Sequence, residues 1–97
     1  MDVIAMFRWD CGRHGEIASV FACNRDVLES SYGAYLNFGN ALGTGVDIAG
    51  VLEEEDITIL SDDADTVSRV MAVYGETVEG FNPLLFLQDA DCFSDAY

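Results

Sequence analysis

Cys11 and His14 stand three residues apart in a turn that also holds Gly12 and Gly15. That spacing can supply half of a zinc site, or a thiol nucleophile with its base. The other half is missing, because a structural zinc site needs four ligands and Cys23 and Cys92 have no partner spacing. Asp62-Asp63-x-Asp65 offers hard oxygen ligands of the kind that hold Mg²⁺ or Ca²⁺, yet it lacks the glycine and the closing glutamate of an EF-hand loop. The segment Gly39 to Gly45 is rich enough in glycine to cradle an anion, but no Gly-Lys-Ser/Thr follows and the next charges are acidic, so a turn is the simpler reading. These patterns predict no catalytic, cofactor or metal site, and a protein that is not an enzyme.

The chemistry that remains is that of carboxylates. The chain of 97 residues holds 18 acidic residues, four arginines and no lysine, for a formal charge of −14. Twelve of the acids follow Gly50 against Arg69 alone, which leaves the second half at −11 and the first at −3. Three sets stand out: Glu53 to Asp56 (Glu53, Glu54, Glu55, Asp56), then Asp62, Asp63 and Asp65, and finally Asp89, Asp91 and Asp95, with Glu76 and Glu79 between the last two. Local roles explain part of this. Acids in the first turn of a helix stabilise it by about 0.3–1 kcal/mol each through the macrodipole, and a charged strand edge deters aggregation. Neither accounts for the missing counter-charge, since an ordinary solvated surface mixes both signs. A one-sign field of this strength repels DNA, RNA and anionic membranes and attracts basic proteins.

The elements that must position these acids can be read from periodicity and turn chemistry. At 51% hydrophobic residues with 11 aromatics, the composition is that of a folded chain, and one continuous domain over residues 1–97 is expected. Val3 to Phe7 and Glu16 to Ala22 flank the turn Asp10 to Gly15 and predict a hairpin. Asn24 or Asp26 can cap a short helix through Ser31 that ends at Gly33. Tyr35 to Phe38, then Val46 to Leu52, then Ile57 to Leu60 read as strands, with Gly50 marking a bulge or a close backbone approach. Ala64, Val67, Val70, Met71 and Tyr74 recur at helical spacing, with Ser61 or Asp62 as the cap and Gly75 as the stop. Thr77 to Pro83 reads as a short extended piece and turn, and Leu84 to Leu87 as apolar anchors. The sum is a small α+β domain, an antiparallel sheet of about five strands with one or two helices packed on one face.

No run is apolar and long enough for a membrane helix, and Asp2, Asp10 and Glu16 occupy the stretch where a signal peptide would be basic and then apolar. Three widely spaced cysteines argue against a disulfide framework. A cytoplasmic protein of bacterial setting is expected, without membrane or direct nucleic-acid contact. Over Phe38 to Pro83, the string Phe-Gly, Leu-Gly, Ile-Ala-Gly, Leu-Ser-Asp-Asp and Gly-Phe-Asn-Pro resembles small, mostly uncharacterised proteins of bacteria and their phages. In size and charge the chain also resembles the acidic DNA mimics that block restriction or CRISPR complexes, a likeness of composition alone.

That likeness implies an inhibitor whose carboxylates replace nucleic-acid phosphates in the groove of a basic nucleic-acid-binding protein. Glu53, Glu54, Glu55, Asp56, Asp62, Asp63, Asp65, Glu76, Glu79, Asp89 and Asp91 are the candidate partner-binding residues, and self-association into a homodimer stays open. Salt adaptation is a second reading, which the absence of lysine fits and the weakly charged first half does not. A third is a sponge for a small signalling nucleotide, with Trp9, Tyr32 and Tyr35 stacking on its base and Arg8, Arg13 and Arg25 meeting its phosphate.

Overall fold

The computed structural model describes residues 1–87. Two long strands, β1 (Asp2–Asp10) and β2 (Glu16–Asn24), form the central hairpin in unbroken register from Asp2 opposite Asn24 to Asp10 opposite Glu16. The Asp10 carboxylate accepts the Gly12 N–H at 2.9 Å, which tightens the turn between them. A short helix α1 (Arg25–Ser30) follows, capped by Asn24, whose side chain accepts from the N–H groups of Asp26 and Val27. Strands β3 (Tyr35–Asn37) and β4 (Ala49–Val51) make a separate two-stranded sheet. Then come β5 (Ile57–Ser61), helix α2 (Ala64–Tyr74) and β6 (Thr77–Gly80). The main sheet is antiparallel in the order β5-β1-β2-β6.

The α+β class is as expected, but among the described residues six strands in two sheets replace the single sheet of about five. Strands β3 and β4 pair with each other, and Leu36 with the flanking Phe38, Ile48 and Leu52 packs this second sheet on one face of the main one. Successive side chains of a strand point to opposite faces, so the two sides of the central hairpin can be compared directly. Val3, Ala5, Phe7, Ile17 and Phe21 join Leu28 of α1 and Leu36, Phe38, Ile48 and Leu52 from the β3–β4 layer in one core. Phe7 and Phe21 are fully buried there.

On the other pleat Ile4 faces Ala22 across the hairpin, and α2 lies over it with Val67 buried. The two helices thus cover opposite faces, rather than sharing one. The α2 stripe is also narrower than its spacing predicts: Ala64 and Tyr74 are exposed. Its cap is Asp63, rather than Ser61 or Asp62, with the carboxylate accepting the Thr66 N–H at 3.0 Å. Thr77 to Gly80, expected only as an extended piece, is an edge strand because β2 offers it a free ladder. Gly50 makes no bulge. It sits in regular register opposite Leu36, and an added Cβ would lie 3.5 Å from the Trp9 ring. Of the apolar anchors, Leu84 and Phe86 pack on the core, while Leu85 is exposed. No helix among the described residues is long and apolar enough to cross a membrane.

Candidate functional site

Strand β5 is the element around which the acids gather. Ahead of it, Glu54–Asp56 form a single 3-10 turn. Asp56 closes that turn by accepting the Glu53 N–H at 3.0 Å, and the same oxygen accepts the Trp9 indole N–H at 2.9 Å. Asp56 is therefore engaged in tying the acidic turn to the end of β1. Glu53, Glu54 and Glu55 stay exposed and together line a shallow surface groove. Glu54 also faces a second groove of about 480 Å³ formed with Arg25, Leu28, Glu29, Tyr32 and Ile59. The Tyr32 phenol there is held above its ordinary range, first by burial and then by the charges of Glu54 and Glu29, which outweigh Arg25.

Beyond the far end of β5, Asp62, Asp63 and Asp65 open α2. The Asp63 carboxyl is held below its ordinary value by the side-chain and backbone hydrogen bonds of Thr66, as befits a cap. Asp62 and Asp65 are exposed. Asp62 shares a groove with Met1 and Asp2, and Asp2 and Glu76 both act on the Cys23 thiol, which burial and then their charges push up to about 11. Asp2, Asp62, Asp63, Asp65 and Glu76 thus collect at one end of the main sheet. Asp2 is a member that the sequence did not reveal, since its distance along the chain hides the β1–β5 pairing that brings it there.

Glu79 does not belong to this site. It stands on β6 opposite Val20, at the other edge of the sheet and roughly 14 Å away at the usual strand spacing. Asp89 and Asp91, like Asp95 and Cys92, lie outside the described residues.

The candidate acids share one electrostatic property. Among the described residues the single ion pair is Arg8 with Glu16, at 2.9 Å on the central hairpin. Of the candidate partner-binding carboxylates that are described, none has a cation within salt-bridge distance among the described residues.

The groups of the other readings are dispersed. Tyr32 and Arg25 share a groove, but with two carboxylates in it; Trp9 packs against Gly50, Tyr35 lies on β3, and Arg8 is paired. Cys11 and His14 share a 3-10 turn, where the His14 N–H donates to the Cys11 carbonyl at 3.2 Å. No group of three or more His, Cys, Asp or Glu side chains arranged for a metal occurs among the described residues. No protein-family model, curated protein or solved structure matches the chain.

Proposed function

We propose that this protein is a non-enzymatic inhibitor that engages a basic nucleic-acid-binding protein, with carboxylates standing where phosphates would lie. The observation that carries the reading is the pair of uncompensated acidic groups at the two ends of β5: Glu53 to Glu55 before it, and Asp62 and Asp65, with Asp2, beyond it. At about 3.3 Å per residue the five residues of β5 hold these groups roughly 17 Å apart, a length over which one strand of B-DNA presents about five phosphates. Uncompensated repulsion costs stability, and a cationic partner turns that cost into affinity and fast association. Point-charge and bidentate contacts to partner Lys and Arg are the interactions such a surface makes.

Affinity capture from a bacterial lysate at about 0.1 M salt, followed by elution with duplex DNA, tests this reading. The expected partner is a basic nucleic-acid-binding protein that DNA displaces. The triple variant Glu54→Lys, Glu55→Lys, Asp62→Lys should lose it while keeping its circular dichroism. A partner that DNA cannot displace, or that the variant retains, would overturn mimicry. An empty capture combined with stability that climbs over a molar range of KCl would assign the acidity to salt adaptation instead.

A further inference from the structure

We propose that the free edge of β5 is where the partner docks, by adding an extended segment with cationic ends as a further strand of the main sheet. The inference rests on the acidic-face reading above and gives it a recognition mode. Hydrogen bonding along the hairpin fixes which groups are available. The Arg25 N–H donates to the Met1 carbonyl and the Cys11 N–H to the Gly15 carbonyl, both at 2.8 Å. In an antiparallel ladder the bonded pairs alternate, so the odd-numbered residues of β1 bond to β2 and the even-numbered ones face β5.

Met6 lies opposite Thr58, which makes Thr58 the residue bonded to β1 and turns the main-chain groups of Ile57 and Ile59 outward. The Ile57 N–H is already bonded to the Glu54 carbonyl. Among the described residues no strand pairs with β5 on its outer side, so the Ile57 carbonyl and both main-chain groups of Ile59 lie at an open edge there.

Natural sheets blunt such edges with a charge, a proline or a bulge within the edge strand. Here Ile57-Thr58-Ile59 carries no charge or proline and Ile59 is 36% exposed; the register shift leaves Leu60, 50% exposed, as the extra residue of a bulge between the Ala5–Ile59 and Ile4–Ser61 pairs, so the regular, unblunted edge is the stretch from Ile57 to Ile59. The charges stand at the two ends instead.

That arrangement selects the occupant. A second copy paired antiparallel on β5 would set Glu53 to Asp56 of one chain against Asp62 to Asp65 of the other, like against like. A segment with Arg or Lys at both ends and uncharged, β-favouring residues between them meets opposite charge at each end and completes the ladder in the middle. Strand addition of this kind draws affinity from main-chain bonds and specificity from alternate side chains, one set of which would lie beside Ile59 and the groove it shares with Leu28 and Tyr32.

The probe is a synthetic peptide with two arginines at each end of a short Val-Thr alternation, made in three forms: unmodified, N-methylated at odd residues and N-methylated at even residues. All three carry the same charge. Fluorescence anisotropy should show binding of the unmodified peptide and of one methylated form, with the other weakened at least tenfold, and the Ile59 amide should gain protection from hydrogen exchange in the complex. Ile59→Pro, which removes an edge donor but no bond to β1, should weaken binding similarly. Equal binding of both methylated forms, lost only in the charge-reversed protein, would overturn strand addition while leaving the acidic-face reading standing. Failure of every peptide to bind would overturn strand addition too, and the DNA-displacement experiment would then judge the acidic face separately. A concentration-dependent dimer in sedimentation that Ile59→Pro dissolves would give the edge to a second copy and overturn the cationic occupant.

Discussion

The central hairpin and the β5–α2 unit that lies against it are built on opposite terms. The hairpin puts Val3, Ala5, Phe7 and Phe21 wholly out of solvent, and carries the one ion pair among the described residues. The β5–α2 unit buries one side chain of its own, Val67, leaves Leu60, Val73 and Tyr74 half or more exposed, and has carboxylates at both ends of its strand. Burial of apolar area is what stabilises a small domain, so the hairpin and the β3–β4 layer over it bear the fold. The acidic unit keeps most of its surface in solvent. A protein that must tolerate strong self-repulsion keeps that repulsion away from the residues on which its folding depends.

The contrast is broken most forcefully at Phe7. Phe7→Ala should cost about 3–5 kcal/mol, read from the urea midpoint, whereas Val73→Ala on the outer face of α2 should move it by no more than about 0.5 kcal/mol. Similar losses at both positions would erase the division of labour.

An intermediate effect is expected where β6, the strand that follows α2, pairs with the hairpin. Gly80 has a φ of 72° and an added Cβ would sit 2.3 Å from the Ala18 carbonyl oxygen, with the Ser19 backbone 3.1 Å away. Gly80→Ala should therefore cost at least about 1–3 kcal/mol for the backbone conformation and displace β6 from β2, seen as loss of amide protection in β6.

The smallest effect sharpens the comparison within the acids themselves. Asp63→Ala removes the α2 cap and should lower the urea midpoint at neutral pH, while Asp65→Ala should lower it less. Because folding lowers the Asp63 pKa beneath its ordinary 3.8, the stability it lends is present above that value and is lost as pH falls through the lowered one. The stability gap between parent and Asp63→Ala should hold steady above about pH 5 and narrow on acidification. A gap independent of pH down to pH 2 would deny Asp63 its role.

Much of this organisation can be read before any fold is known. The hairpin turn, the Asn24 cap, the two helices and the β5 segment are local signals, carried by residues close together in sequence. The cap lies one position past the expected Asp62 because Ser61, Asp62 and Asp63 are all capable caps, and only the helix start decides which one accepts from Thr66. The recruitment of Asp2, the departure of Glu79 to the other edge and the engagement of Asp56 by Trp9 depend on pairings across dozens of residues. No local pattern encodes those pairings.

By itself, then, the sequence determined the central hairpin, the two helices, the Asn24 cap and the −11 charge of the second half, because propensity, capping and net charge are properties of short segments and of composition. Only the tertiary structure decided that the helices cover opposite faces, that β5 stands at an edge with the main-chain groups of Ile59 open, and that carboxylates meet at both its ends. Strand alternation says which side chains share a face, but not which strand lies beside which. That choice belongs to the packing of the whole chain around Phe7 and Phe21.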